Sequence, residues 1–167
     1  MPEVWFTDGK KITHTTSGIA GGLAFAGPSK RPGRKGKMEN GFHPNCFACG
    51  SKNGAGLQLK FHKEEDGSVF GEFLADTKFE SYPGIVHGGI IATLLDSAMT
   101  HCLFVKGIPA VTGRLSIKYS LPIRTGSVVR LEAKMVNTSR NIFILEGKAL
   151  VNGKRVASAV AKCARLR

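Results

Sequence analysis

The chain has few aromatic side chains, few acidic residues and no long apolar run. Its 167 residues include one Trp and two Tyr, too few for a surface that stacks nucleic-acid bases. The longest apolar stretch, residues 85–99, contains His87 and Asp96 and is shorter than the roughly 20 residues that cross a membrane as a helix. The N-terminus, Met-Pro-Glu, lacks the features of a secretory signal. We therefore expect a cytoplasmic protein with no membrane segment, whose four cysteines are reduced thiols.

Acidic residues are scarce relative to basic ones. The chain has 24 Lys and Arg against 12 Asp and Glu, a formal net charge of +12, and residues 106–167 hold thirteen of the basic residues but two of the acidic ones. Such an excess favours an anionic partner, for example a nucleic acid, a membrane surface or a phosphate-rich molecule such as coenzyme A. The basic residues alternate with apolar ones and form no continuous run. Nucleic-acid binding is therefore not the function that we expect.

Composition divides the chain into two parts. Residues 1–40 are basic and rich in turn-forming Gly and Pro, above all in segment 27–37. They have little apolar surface to bury. We expect a flexible basic leader over 1–40 and one folded domain over 41–167, which is long enough to build a hydrophobic core.

The predicted domain has strand patterns on both sides of one helical segment. Alternating residues over 57–62 and 69–74 are joined by an Asp66-Gly67 turn, which predicts a hairpin. A helix is predicted over about 88–105. Turns then separate four further predicted strands: 110–121, 127–138, 141–151 and 154–166. We expect an α+β fold in which an antiparallel curved sheet of about six strands wraps around one long central helix.

The predicted helix is apolar on nearly every side and contains one carboxylate. A helix of this kind is usually buried, and an unpaired buried carboxylate is costly, so Asp96 either has a partner or faces a ligand cavity. Gly88 and Gly89 leave backbone N–H groups accessible at the positive end of the helix dipole. This combination favours acyl-transfer or ester-hydrolysis chemistry. The alternative is a core helix whose glycines only permit close packing.

The spacing of these groups predicts an oligomer. At about 1.5 Å and 100° per residue, His87 and Asp96 lie roughly 13 Å apart along the helix axis and on opposite sides of it. Asp96 therefore cannot easily reach a carbonyl held at the start of its own helix. A second copy of the chain could bring its Asp96 to Gly88, and twofold symmetry would then create two equivalent composite sites.

The segment Tyr82–Asp96 resembles the hotdog-fold acyl-CoA thioesterases of the phenylacetate-degradation (PaaI) type. Its most specific element is His-Gly-Gly followed by an Asp nine residues after the His. The strand Ala110–Tyr119 and the Asn152-Gly153 turn are also similar, and Cys46–Leu57 resembles a lead-in found in a subset of the family. The likeness covers about residues 43–166. It implies a homodimer or homotetramer whose subunits join their sheets edge to edge, with active sites at the interface.

The resemblance also implies roles for individual residues. Asp96 corresponds to the carboxylate that acts as nucleophile or general base, and Gly88 to the residue whose N–H polarises the thioester carbonyl. His87 corresponds to the residue that shapes this turn and lines the site, and Thr112 to a hydroxyl residue that positions water or the thioester. From the residues alone, His87 could equally be a helix-start residue satisfied by the backbone, and Thr112 a β-branched residue suited to a strand.

Other positions match the family pattern in part. Ser81 stands near the place of an Asn that holds water in some relatives. Ser97 follows the Asp where Glu is frequent, which removes a possible second acid. Ser139 and Arg140 lie in a turn that resembles the loop contacting coenzyme A phosphates, and Arg suits planar phosphate recognition. We expect these two residues and Gly89 to bind substrate, although an Arg in a turn is more often a solvated charge.

His43, Cys46 and Cys49 form half of a zinc-binding pattern. A structural zinc ion commonly has four protein ligands, and the remaining cysteines, Cys102 and Cys163, fall on the predicted helix and the last strand. On this ligand count we expect a tight turn packed at the end of the helix, with no metal bound. We expect no separate cofactor, since coenzyme A would be part of the substrate.

Two functions fit these observations. The first is an acyl-CoA thioesterase that produces free acid and coenzyme A, with Asp96 as nucleophile or general base and the Gly88 N–H as oxyanion donor. The second is a catalytically silent acyl-CoA-binding or regulatory protein on the same fold. A silent binder would gain from losing a buried charge, so the presence of Asp96 argues for catalysis. Hydratase or dehydratase chemistry would need a His and a carboxylate placed differently.

Overall fold

The computed structural model describes residues 43–166. The predicted leader, 1–40, lies outside the described residues. In chain order, residues 43–166 form eight strands, one α-helix and a short 3-10 helix: β1 (Phe61–Lys63), β2 (Val69–Leu74), the 3-10 helix (Thr77–Phe79), β3 (Glu80–Tyr82), β4 (Ile85–Val86), α1 (Gly88–Phe104), β5 (Ala110–Tyr119), β6 (Val128–Ser139), β7 (Ile142–Val151) and β8 (Lys154–Arg165).

Six strands form one sheet in the order β1–β2–β6–β7–β8–β5, and every neighbouring pair is antiparallel. Tight turns connect β6 to β7 and β7 to β8. Arg140, Asn152 and Gly153 have φ values of 53°, 50° and 77° in these turns, the left-handed conformation that two-residue hairpin loops require. The ten-residue strand β5 forms one edge of the sheet.

Helix α1 packs against β1, β2 and β5–β8. Because the sheet surrounds the helix, apolar side chains are buried on several of its faces: Ile91, Leu94, Leu95, Ala98, Met99, Cys102 and Leu103. A Cβ on Gly147 of β7 would lie 3.1 Å from Met99 Cγ, so the glycine permits this close approach of helix and sheet. The predicted architecture, a curved antiparallel sheet of six strands around one helix, is confirmed. No helix in residues 43–166 is long and apolar enough to span a membrane.

The first predicted strand, 57–62, is largely wrong, since β1 begins only at Phe61. Leu57 and Leu59 instead donate backbone hydrogen bonds of 2.8 and 2.9 Å to the carbonyls of Phe47 and Ala48. Gln58 between them has a left-handed φ of 53°, which no regular strand contains. The alternating pattern of residues 57–62 therefore reflects packing against the segment that precedes it. The small pair of strands β3 and β4 is a further feature that the sequence did not predict.

Candidate active site

The side chain of His87 caps the start of α1. Its backbone is extended, with φ −61° and ψ 133°, and its Nδ1 accepts a 2.8 Å hydrogen bond from the backbone N–H of Gly89. Its carbonyl accepts hydrogen bonds from the N–H groups of Ile90 (3.0 Å) and Ile91 (3.3 Å). A helix start leaves N–H groups without intrahelical partners, and His87 takes up most of those in this first turn. The structure therefore shows His87 as a helix-start residue whose ring caps the backbone, and contact of His87 with substrate stays a prediction.

The N–H of Gly88 is the exception in this turn. The structure gives it no acceptor among residues 43–166, whereas Gly89 is engaged by His87. A Cβ on Gly89 would lie 3.0 Å from His87 Nδ1, but one on Gly88 would meet only the Tyr119 ring at 3.8 Å. A side chain at Gly89 would therefore crowd the capping ring of His87. At Gly88 the absence of a side chain leaves the N–H open at the positive end of the helix dipole.

Tyr119, the last residue of β5, fixes the start of the helix. Its hydroxyl donates a 3.1 Å hydrogen bond to the carbonyl of Gly88, and 52% of the residue is exposed. Sequence reasoning missed this residue. One signal was available, since Tyr119 ends the predicted strand that contains Thr112 and is one of two tyrosines in the chain.

Asp96 lies midway along α1 and is half-buried. The Thr112 hydroxyl of β5 donates a 2.7 Å hydrogen bond to its Oδ1. No hydrogen bond or ion pair engages Oδ2 among the described residues. The structure therefore gives the carboxylate one partner, Thr112, and leaves its second oxygen available. The sequence predicted that Asp96 has a partner or faces a ligand cavity, and the partner is now identified.

A β-bulge explains how Thr112 and Tyr119 both contact α1. The two residues are seven apart, and in a regular strand they would point to opposite faces. The pairing of β5 with β8 shifts by one residue between Thr112 and Arg114, so Gly113 is extra and the alternation is reset. As a result β5 turns both Thr112, near its first end, and Tyr119, at its last residue, toward the helix.

Cys163 of β8 is the other group at the Thr112 hydroxyl, with its Sγ 3.7 Å from Oγ1. Burial raises the pKa of the Cys163 thiol; the Thr112 hydrogen bond partly opposes this effect, and the charge of Asp96 raises the pKa to a smaller degree. The thiolate is the nucleophilic form of cysteine, so a neutral thiol here does not compete with the carboxylate for a nucleophilic role.

The remaining predicted residues are not brought to this site within one chain. Ser139 and Arg140 are exposed in the β6–β7 turn, and among the described residues neither forms a hydrogen bond or ion pair with α1. Ser81 is exposed in β3, whereas Ser97 is buried beside Asp96. Binding of substrate by Ser139, Arg140 and Gly89 therefore stays a prediction.

The other end of α1 holds a separate cluster. The ring of His43 lies 4.5 Å from that of Phe104, the last helical residue. Potential ligand atoms of His43, Cys46 and Cys49 all lie within 4.8 Å of one another. His101 is also buried here, and its Nδ1 lies 2.8 Å from the carbonyl of Ser97. Burial lowers the pKa of His101 to about 4, so this ring is neutral in the core.

Comparisons with known proteins agree with the fold. Residues 83–157 match the family model of the Thioesterase superfamily. The acyl-coenzyme A thioesterase THEM4 of Rattus norvegicus is 30% identical over 100 residues, which make up 59% of this chain and 43% of the rat protein. The chain thus spans less than half the length of this curated relative.

Two solved structures are similar over most of their length. A variant of the phenylacetic acid degradation protein PaaI from Thermus thermophilus is 29% identical, with 66% of this chain and 95% of that chain covered and a TM-score of 0.61. A phenylacetic acid degradation-related protein from Ralstonia eutropha is 25% identical, with coverages of 65% and 85% and a TM-score of 0.60. The match to the family model, the sheet order and the central helix agree: residues 43–166 have the hotdog fold and are similar to PaaI-type proteins of the thioesterase superfamily.

Proposed function

We propose that this protein hydrolyses acyl-CoA thioesters, with Asp96 as the nucleophile or general base and the N–H of Gly88 as the oxyanion donor. One observation carries the proposal: the carboxylate held by Thr112 belongs to the same helix whose first N–H has no acceptor among residues 43–166. The family match and the thioesterase relatives support the reaction class.

The two groups divide the chemistry between them. In the general-base form, Asp96 takes a proton from water as the water oxygen adds to the thioester carbonyl. The oxyanion that forms accepts a hydrogen bond from Gly88, where the helix dipole adds to the stabilisation. Collapse breaks the carbon–sulfur bond, and the leaving thiolate receives the proton from Asp96. In the nucleophilic form, the carboxylate attacks the carbonyl directly and the carbon–sulfur bond breaks with release of the coenzyme A thiolate. Water then cleaves the resulting mixed anhydride to the free acid and restores the Asp96 carboxylate.

One chain does not bring both groups to the same carbonyl. Gly88 and Asp96 are eight residues apart, or about 12 Å at the helical rise. The outer edge of β5, which pairs with no other strand among residues 43–166, supplies a geometry that shortens this separation. If two copies pair antiparallel along β5, with the twofold axis at Ser116 and Gly113 as the extra residue of the bulge, then Thr112 lies opposite Tyr119 of the partner subunit.

This pairing connects the two halves of the proposed site. Opposite residues of antiparallel strands have Cβ atoms about 4.5–5.5 Å apart. Thr112 holds Asp96, and the partner's Tyr119 holds the partner's Gly88. The proposed active site therefore lies at a dimer interface, with the carboxylate from one protomer and the anion hole from its partner. A ten-residue edge strand is also long for one that remains unpaired.

Release of free thiol from short, long and aryl acyl-CoAs tests the proposal. Asp96→Asn preserves the shape of the side chain and an oxygen for the Thr112 hydroxyl, but removes basicity and nucleophilicity. We expect it to fold and to bind substrate but to lose turnover. The matched control is Asp76→Asn, because Asp76 is an exposed loop carboxylate whose capping bond to Lys78 an Asn also accepts.

Two results would contradict the assignment. Thiol release by Asp96→Asn within a few-fold of the wild-type rate would remove the catalytic role of Asp96. Binding of acyl-CoA by the wild-type protein, measured by calorimetry, with no thiol release from any substrate would favour the silent binder instead.

A further inference from the structure

The segment that contains His43, Cys46 and Cys49 lies beside the C-terminal end of α1 and carries potential metal ligands that the proposed thioesterase reaction does not use. His43 and Cys46 are half-buried and Cys49 is buried, and their ligand atoms lie within 4.8 Å of one another. The proposed reaction uses Gly88, at the other end of the helix, and Asp96, midway along it. The cluster therefore requires its own explanation.

Backbone contacts hold the three side chains together. The N–H of Cys46 donates to the carbonyl of His43 at 3.1 Å, and the N–H of Gly50 donates to the carbonyl of Cys46 at 2.9 Å. A Cβ on Gly50 would lie 2.4 Å from the Cys46 nitrogen and 2.5 Å from the Pro44 oxygen. Only glycine fits after the second cysteine, and its presence lets the chain close tightly around the two thiols.

One pair of side chains in the cluster has the spacing of two ligands on a single metal ion. Cys49 Sγ lies 3.6 Å from His43 Nδ1. Two ligands of one tetrahedral zinc ion, a sulfur at ~2.3 Å and a nitrogen at ~2.0–2.1 Å, are themselves about 3.6 Å apart. The contact of the His43 ring with Phe104 sets the orientation of the ring, in the way that outer contacts orient ligands in metal sites.

We propose that His43 Nδ1, Cys46 Sγ and Cys49 Sγ bind one Zn²⁺ ion, with a water molecule or another external ligand in the fourth position. Two thiolates and an imidazole suit zinc better than they suit Mg²⁺ or Ca²⁺. Binding releases the two thiol protons, and the dithiolate balances the charge of the ion. The proposal departs from the expectation of no metal, which rested on a count of ligands in the sequence. No fourth His, Cys or carboxylate joins the cluster among residues 43–166.

The expected consequence is structural. Residues after the cluster are tied to it, because the N–H groups of Leu57 and Leu59 donate to the carbonyls of Phe47 and Ala48. Ala48 and Cys49 are both part of the hydrophobic core. A metal ion would therefore fasten the segment before β1 to the end of α1 and stabilise the domain, without entering the thioester chemistry.

Metal content of the full chain tests the proposal. Protein purified in a non-thiol reductant is saturated with Zn²⁺, freed of loosely held ion and analysed for metal. We expect one Zn²⁺ per chain. Replacement by Co²⁺ should give the sulfur-to-cobalt charge-transfer band in the near ultraviolet and the intense visible bands of four-coordinate cobalt. Absence of the thiolate band in wild-type protein would overturn the proposal, even if zinc remains bound elsewhere.

Variants locate the site. Cys49→Ala should lose the cobalt bands and the bound zinc, whereas Cys102→Ala, which also removes a buried thiol, should retain both. Should Cys49→Ala fail to fold, His43→Ala serves in its place, with the exposed His62→Ala as its control. Equal metal content and equal spectra in a cluster variant and its control would contradict the assignment. Zn²⁺ should raise the Tm of the wild-type and control proteins but not that of the cluster variants.

Discussion

The Thr112 hydroxyl donates a 2.7 Å hydrogen bond to Oδ1 of Asp96, and so joins β5 to the middle of α1. The bond is available because the bulge at Gly113 turns Thr112 toward the helix. It leaves one carboxylate oxygen for water or substrate and fixes the direction in which that oxygen points. We infer that Thr112 is a positioning residue for Asp96.

Thr112→Val should lower kcat and preserve the fold. Valine has the shape of threonine and suits a strand, but it removes the donor to Asp96. Hydrogen bonds to charged groups contribute about 1.5–3 kcal/mol, so we expect a loss of roughly 10- to 100-fold in turnover. Steady-state kinetics should place the change in kcat more than in KM.

Two variants separate this role from a general effect on strand packing. Thr112→Ser restores the hydroxyl and should recover much of the activity. Thr138→Val makes the same change at an exposed position of β6 and should leave activity near the wild-type value. Full activity in Thr112→Val would show that Asp96 needs no positioning by this hydroxyl.

Gly88→Pro should abolish most activity, whereas Gly88→Ala should not. Proline at the first helical position is well tolerated, and the extended backbone of His87 (ψ 133°) suits a residue before proline. The substitution removes the N–H, and loss of one oxyanion donor costs roughly 10²–10³-fold in rate. Alanine retains the N–H, and its Cβ would meet only the Tyr119 ring at 3.8 Å. Similar kinetics of the two variants would exclude the N–H as the oxyanion donor.

The sequence predicted correctly those elements that have a regular pattern of apolar and polar residues. The apolar pattern after Gly89 predicted a helix over about 88–105, and α1 ends at Phe104. Alternation and the Asn152-Gly153 turn predicted the last four strands to within a few residues. These signals are local, because a residue's burial in such elements follows from its own spacing.

Features that depend on contacts between distant segments were not predictable in this way. The bulge that turns both Thr112 and Tyr119 toward α1 is set by pairing with β8. The left-handed Gln58 follows from hydrogen bonds to the segment before it. The assignment of His87 as a helix cap likewise needed the position of its Nδ1 relative to the Gly89 N–H.

Removal of residues 1–38 should preserve both fold and activity. The reason is compositional, since this part of the chain is basic and rich in glycine and proline and has little apolar surface to bury. The truncation retains His43 and the whole hotdog domain. Circular dichroism, thermal unfolding and thiol release check the outcome. A truncated protein that is insoluble or inactive would mean that the leader packs on the domain.

Mixing two inactive variants should restore activity if each site is built from two chains. Asp96→Asn removes the carboxylate, and Gly88→Pro removes the oxyanion donor. The approximately 12 Å between these groups in one helix and the proposed pairing of Thr112 with Tyr119 of the partner subunit place them in different protomers. In a heterodimer one site then carries both defects and the other carries neither.

The expected recovery follows from random assembly. Equal amounts of the two chains, unfolded and refolded together or allowed to exchange, form heterodimers as about half of all dimers, so about a quarter of all sites are intact. Thiol release should approach about that fraction of the wild-type rate, while each variant alone remains inactive. Native mass spectrometry verifies that heterodimers have formed. Heterodimers without activity would mean that Gly88 and Asp96 act within one chain, and the edge-to-edge geometry of the site would be wrong.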